Sequence, residues 1–190
     1  MVALGILVGS KGRGSNMRAI AEACARGDVP AEVRVVVSPK AGTPAAEWAA
    51  ENGLEVKVVS VKREDYGKAL VEALEGCSLV CLAGYMRLLP NEVLEAFPDR
   101  VLNIHPALLP KFGGKGMFGI RVHEAVLAAG ETESGCTVHL VDEQYDHGPP
   151  ILQLRCRVEP GDTPETLAAR VLELEHQAYP MAIRKVILGR

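Results

Sequence analysis

The stretch Ala3-Leu4-Gly5-Ile6-Leu7-Val8-Gly9-Ser10-Lys11-Gly12-Arg13-Gly14-Ser15-Asn16-Met17 decides the fold. A short apolar run ends in a glycine-rich turn, and a helical pattern follows from Met17 to Ala25. Such a run, bounded by glycine, reads as a buried strand feeding a helix. The alternation then repeats. Val33 to Val37 and Val56 to Val61 read as strands, with a helix between them over Pro44 to Asn52, stopped by Gly53. Asp65 to Glu75 reads as a helix stopped by Gly76, and Ser78 to Leu82 and Val101 to His105 as two further strands. Apolar strands separated by helices build a parallel sheet covered on both faces. The expected class is therefore α/β: an open, mostly parallel twisted sheet with helices on both faces.

The later part follows another pattern. Val122 to Ala129 is helical, while Cys136 to Val141 and Ile151 to Val158 are strand-like and close in sequence, so the late strands are expected to pair partly antiparallel. Thr163 to Leu188 holds a long terminal helix, with Asp162 or Thr163 as its cap and Pro164 just inside. Pro180 is expected to divide it into two pieces.

The chain has 190 residues, enough for one domain with a sizeable core. Hydrophobic residues make up 48% and charged residues 24%, an ordinary globular balance. A net charge of -3 carries no basic footprint for nucleic acid, so no such partner is expected. Val2 to Val8 is too short for a secretory leader and has no basic flank before it, and no run is long enough to span a bilayer. A cytoplasmic chain with no membrane association is expected. The cysteines, at 24, 77, 81, 136 and 156, are odd in number and follow no ligand spacing. They are expected to be reduced and mostly buried, with no metal site.

Three polar clusters fall after strands, where open α/β sheets bind ligands. The first is Gly9 to Asn16. Glycines let backbone N–H groups approach an anion, and the helix start adds its positive end. Lys11 and Arg13 add charge. Its spacing matches neither a Walker loop nor the dinucleotide fingerprint. Taken alone, the loop is equally well a tight turn with Ser15 as helix cap. The second cluster is Gly84 to Arg87. The third, Asn103-Ile104-His105-Pro106, places an Asn and a His on the same side of a strand end. Such a pair can hold a developing oxyanion, and His can move protons near neutral pH. An isolated Asn-x-His is more simply a turn cap and a core histidine. In the acidic loop Asp142-Glu143-Gln144-Tyr145-Asp146, a carboxylate facing His105 would keep it charged, but the residues alone do not choose among the three acids. Glu175-His176 reads first as a surface pair on the terminal helix.

Together these residues resemble the phosphoribosylglycinamide formyltransferases, folate-dependent enzymes of purine synthesis. The resemblance runs nearly end to end. It is carried by Gly12-Arg13-Gly14-Ser15-Asn16, Ala83-Gly84-Tyr85-Met86-Arg87-Leu88-Leu89, Asn103-Ile104-His105-Pro106-Ala107-Leu108-Leu109-Pro110, Cys136-Thr137-Val138-His139-Leu140-Val141-Asp142, and Asp146-His147-Gly148-Pro149. It implies a Rossmann-like formyltransferase domain over 1–190, with a phosphate-binding half at 1–100 and a folate and catalytic half at 101–190.

The implied reaction moves the formyl group of 10-formyltetrahydrofolate, the co-substrate, to the amine of phosphoribosylglycinamide, with no metal. Asn103 and His105 match the catalytic pair, and Asp146 the acid that keeps the histidine charged. Gly14, Ser15 and Asn16 match the loop that holds the acceptor's phosphate, and Glu175 a carboxylate near its glycinamide end. Arg63 and the segment Met86, Arg87, Leu88 and Leu89 match folate contacts. The implied partners are small-molecule substrates, with the chain a monomer or homodimer. A deformylase, or a formyltransferase with another acceptor, shares the Asn-x-His-Pro run. Length and the Gly-Arg-Gly-Ser-Asn loop count against both. One departure is Lys111 to Gly119, where four glycines are expected to make a mobile flap.

Overall fold

The computed structural model describes residues 1–189. Seven strands form one sheet: β1 (Val2–Val8), β2 (Ala31–Ser38), β3 (Val56–Val58), β4 (Leu79–Ala83), β5 (Val101–His105), β6 (Glu133–Leu140) and β7 (Pro150–Arg157). Their order is β3-β2-β1-β4-β5-β6-β7. The first five run parallel, and β6 pairs antiparallel with both β5 and β7.

Six helices connect them: α1 (Ser15–Arg26), α2 (Pro44–Glu51), α3 (Tyr66–Ala73), α4 (Asn91–Ala96), α5 (Ile120–Ala128) and α6 (Pro164–Leu188). Side chains alternate along a strand, so each strand feeds two cores. Leu4, Ile6 and Val8 of β1 pack in one cluster with Met17 and Ile20 of α1, Ala45 of α2 and Leu167 of α6. Leu7 points the other way and packs with Leu70 and Leu74 beside α3 and Val93 of α4. The doubly covered, mostly parallel sheet expected from the alternation is what forms.

The chain reverses its direction of winding between β1 and β4, and the loops leaving those strands abut there. A Cβ on Gly9 would overlap the Gly84 carbonyl oxygen, so this crossing depends on glycine. Tyr179 of α6 ties the central strands from the side. Its buried hydroxyl lies 2.8 Å from Leu82 O and 3.0 Å from Leu102 O, the two bonds sharing one proton.

Three local expectations need correction. α6 runs 25 residues without a break, with Pro180 inside it. Proline removes one backbone donor, but the neighbours Ala178, Tyr179, Ala182 and Ile183 are all fully buried, and their packing holds both segments in line. Ser15 does not cap α1. The N-cap is Gly14, in the left-handed region at φ 73, and no side chain caps the helix. The short helix α4, six residues long, adds an element that the sequence pattern does not show, because it is too short to display a period. Thr163 caps α6 as one of the two expected residues, in a reciprocal capping box with Thr166.

Candidate functional site

A cleft of about 670 Å³ opens beside the carboxyl ends of β4 and β5. Asn103 and His105 project from β5, two residues apart on one side of the strand. His105 is 3% exposed. Its Nε2–H donates to the Phe112 carbonyl at 2.7 Å, and its Nδ1 lies 3.4 Å from Asp146 Oδ1. Asp146 sits in the β6–β7 connection with φ 51, a left-handed conformation that turns its carboxyl inward. Its Oδ2 accepts from the Gly114 N–H at 3.1 Å, which fastens the glycine-rich segment 111–119 to the histidine. Of the three acids left open, Asp146 is the one facing His105. Asp142 lines the cleft too, but its carboxylate takes the His147 Nδ1 and the Gln144 N–H.

A residue without an assigned role joins them. His139 lies directly across the β5–β6 ladder from Asn103. Its Nδ1–H donates to Leu140 O at 2.8 Å, which leaves Nε2 as an acceptor for the Asn103 amide at 3.2 Å. Burial lowers the pKa of this imidazole and keeps it neutral, as the acceptor role requires. His123 of α5 also lines the cleft, and burial lowers its pKa as well. The period-two spacing of Thr137 and His139 was visible in the sequence; the register that sets them opposite His105 and Asn103 was not.

The terminal helix supplies Glu175, which is not a surface residue. It is 8% exposed and lines the same cleft. Burial pushes its carboxyl up to about 7, and a hydrogen bond from Asn16 Nδ2 at 3.1 Å offsets part of that rise. Asn16 reaches the cleft from the start of α1, while Gly14 and Ser15 sit at that helix start without lining it. Met86, Arg87, Leu88 and Leu89 all line it. Arg63 does not: it is exposed and paired with Asp65 at 2.7 and 2.8 Å.

Among the largest exposed apolar side chains, Met86, Leu88, Phe118, Ile120, Tyr145 and Leu172 all border this one cleft. An apolar rim around convergent polar groups marks a ligand site. The five cysteines are free, and no cluster of potential metal ligands occurs among the described residues. No helix there is long and apolar enough to cross a membrane.

A family model described as formyl transferase matches residues 5–183. The chain belongs to the formyl transferase family. The resemblance expected from the Asn-x-His-Pro run therefore holds. The chain is 49% identical over 175 residues to the chloroplastic phosphoribosylglycinamide formyltransferase of Arabidopsis thaliana, covering 88% of this chain and 60% of that protein. It is 35% identical to the Escherichia coli phosphoribosylglycinamide formyltransferase, covering 98% of this chain and 89% of that one. Among solved structures, glycinamide ribonucleotide transformylase 1 from Symbiobacterium toebii superposes with a TM-score of 0.91 at 41% identity, covering 100% of this chain and 89% of the other. The chain thus spans about 60% of the length of its Arabidopsis relative.

Proposed function

We propose that this chain transfers the formyl group of 10-formyltetrahydrofolate to the amine of N1-(5-phospho-D-ribosyl)glycinamide, a step of purine biosynthesis. The observation that carries the reading is the meeting of Asn103, His105 and Asp146 in a cleft that Asn16 and Glu175 also line. The relatives named for this reaction support it.

The neutral acceptor amine attacks the formyl carbon, and the carbonyl oxygen takes up negative charge. Asn103 spends one amide N–H on His139 and keeps the other for that oxygen. His105 adds a second donor once the Phe112 carbonyl swings away from Nε2. Asp146 fixes the ring from its Nδ1 side. The carbon–nitrogen bond to the folate then breaks, and the proton lost by the amine passes to the leaving nitrogen. Glu175, poised near neutral pH by burial, accepts a hydrogen bond from the amine.

The uncapped start of α1 has no acidic residue in its first turn and suits the acceptor's phosphate, with Lys11 and Arg13 in the loop that precedes it. The apolar side chains of Met86, Leu88 and Leu89 suit the flat folate ring system. The scheme calls for no metal. We place the reaction in the cytoplasm, on small-molecule substrates, with the chain acting as a monomer or homodimer.

The test mixes purified protein with 10-formyldideazafolate and phosphoribosylglycinamide and follows donor deformylation by absorbance. Acceptor-dependent turnover is expected. Donor loss without acceptor indicates a hydrolase, and no loss with either refutes the assignment.

A further inference from the structure

Three histidines line the cleft: His105, His123 and His139. Two of them have both ring nitrogens engaged. His105 has the Phe112 carbonyl on Nε2 and Asp146 beside Nδ1. His139 donates from Nδ1 to Leu140 O and accepts the Asn103 amide at Nε2. His123, on α5, is the exception. It is 4% exposed, and its Nδ1 is shut away without a hydrogen-bond partner. Neither of its nitrogens is bonded by another group among the described residues. The carboxylates of the cleft are spent elsewhere: Asp142 on His147, Asp146 on His105 and Gly114, and Glu175 on Asn16.

A buried imidazole with nothing to bond is costly, and one left so in a ligand cleft points to a partner that the ligand brings. The ring lines the cleft and Nδ1 is closed off, so Nε2 is the nitrogen that faces it. A lone pair without a donor is tolerated better than a buried N–H without an acceptor, which puts the proton on Nε2. Burial lowers the pKa of this imidazole, and charge on His105 lowers it further. The ring therefore stays neutral when His105 is charged, and that His105 is felt at His123 places it beside the reacting centre. A neutral imidazole can donate to a developing oxyanion without giving up its proton.

We propose that the Nε2–H of His123 is a third donor to the formyl oxygen as that oxygen takes up charge, beside Asn103 and His105; this rests on the formyl-transfer reading above. The other two donors are only partly free. Asn103 has one amide N–H on His139, and His105 releases Nε2 only when the Phe112 carbonyl moves. His123 has no protein partner to displace.

The test measures kcat and both KM values for His123→Ala and His123→Gln in the deformylation assay. Alanine should lower kcat roughly 10²-fold, the worth of one oxyanion donor, and leave both KM values within about twofold of the wild type. Glutamine keeps an N–H of similar reach and should restore part of the loss. Dideazafolate binding should be equal in all three proteins, which shows that the cleft is intact. Near-full activity of the alanine variant overturns the proposal and leaves formyl transfer standing. A loss confined to KM overturns it too, because the contact is then made in the ground state. So does a glutamine variant as slow as alanine with folate binding intact, since a proton relay fails with either residue. If both variants fold poorly, nitrogen NMR of the histidine-labelled wild type decides. A neutral His123 ring with its proton on Nε2 is expected at neutral pH, and an Nδ1–H tautomer or a charged ring overturns the proposal. No turnover by the wild type removes the inference and the formyl-transfer reading together.

Discussion

Glu175→Gln tests whether a buried carboxyl on α6 shapes both stability and the site. Burial raises its pKa from 4.5 to about 7. Between those values the folded chain holds a proton that the unfolded chain has released. Stability therefore falls with rising pH, by about 1.4 kcal/mol per unit. The contribution is fully present below pH 4.5 and is lost as pH rises through 7. The whole loss is about 3 kcal/mol, an upper figure because neighbours relax around a buried charge. Glutamine keeps an acceptor for Asn16 Nδ2 but cannot ionise. The variant should match the wild type near pH 4.5 and exceed it by up to about 3 kcal/mol at pH 8. For a domain of this size that is several degrees in Tm. Urea melts from pH 4.5 to 8.5 measure it. Parallel stability–pH curves for the two proteins would refute the buried, proton-holding Glu175. The same variant should lose turnover, since an amide side chain replaces the carboxylate that receives the amine.

Four further outcomes follow from the geometry. His105→Ala should lower kcat roughly 10²–10³-fold, the cost of one oxyanion donor, with an unchanged circular dichroism spectrum; near-full activity would exclude the role. His139→Ala frees the Asn103 amide from its anchor, so kcat should drop roughly tenfold while donor KM moves little. An effect confined to KM would count against a positioning role. Tyr179→Phe removes the hydroxyl that bridges Leu82 O and Leu102 O and should destabilise by about 1–3 kcal/mol in urea melts. Gly9→Ala should cost more than about 1 kcal/mol because its methyl meets the Gly84 carbonyl, and an unperturbed melt would mean that the two loops are not in contact.

Much of the architecture is local and so was legible. Apolar runs, glycine stops and the Thr163–Pro164 start each act over a few residues, and the elements formed where those signals stood. Asn103 and His105 share a face because a strand repeats every two residues. Pro180 shows where a local rule loses. Its missing backbone bond is outweighed by side chains packed against distant strands. Glu175 shows the same in the site. Its own helix neighbours look like surface, and only the packing of α6 against α1 and β6 buries it beside Asn16.

What the sequence by itself determined was the α/β alternation, the glycine-rich turn and the Asn–His pair, all set by short-range geometry. Only the tertiary structure set His139 against Asn103, turned Arg63 away from the cleft and grouped Lys11, Lys40 and Lys62 around a second one. Those choices depend on strand register and on packing between residues far apart in the chain, which no local pattern encodes.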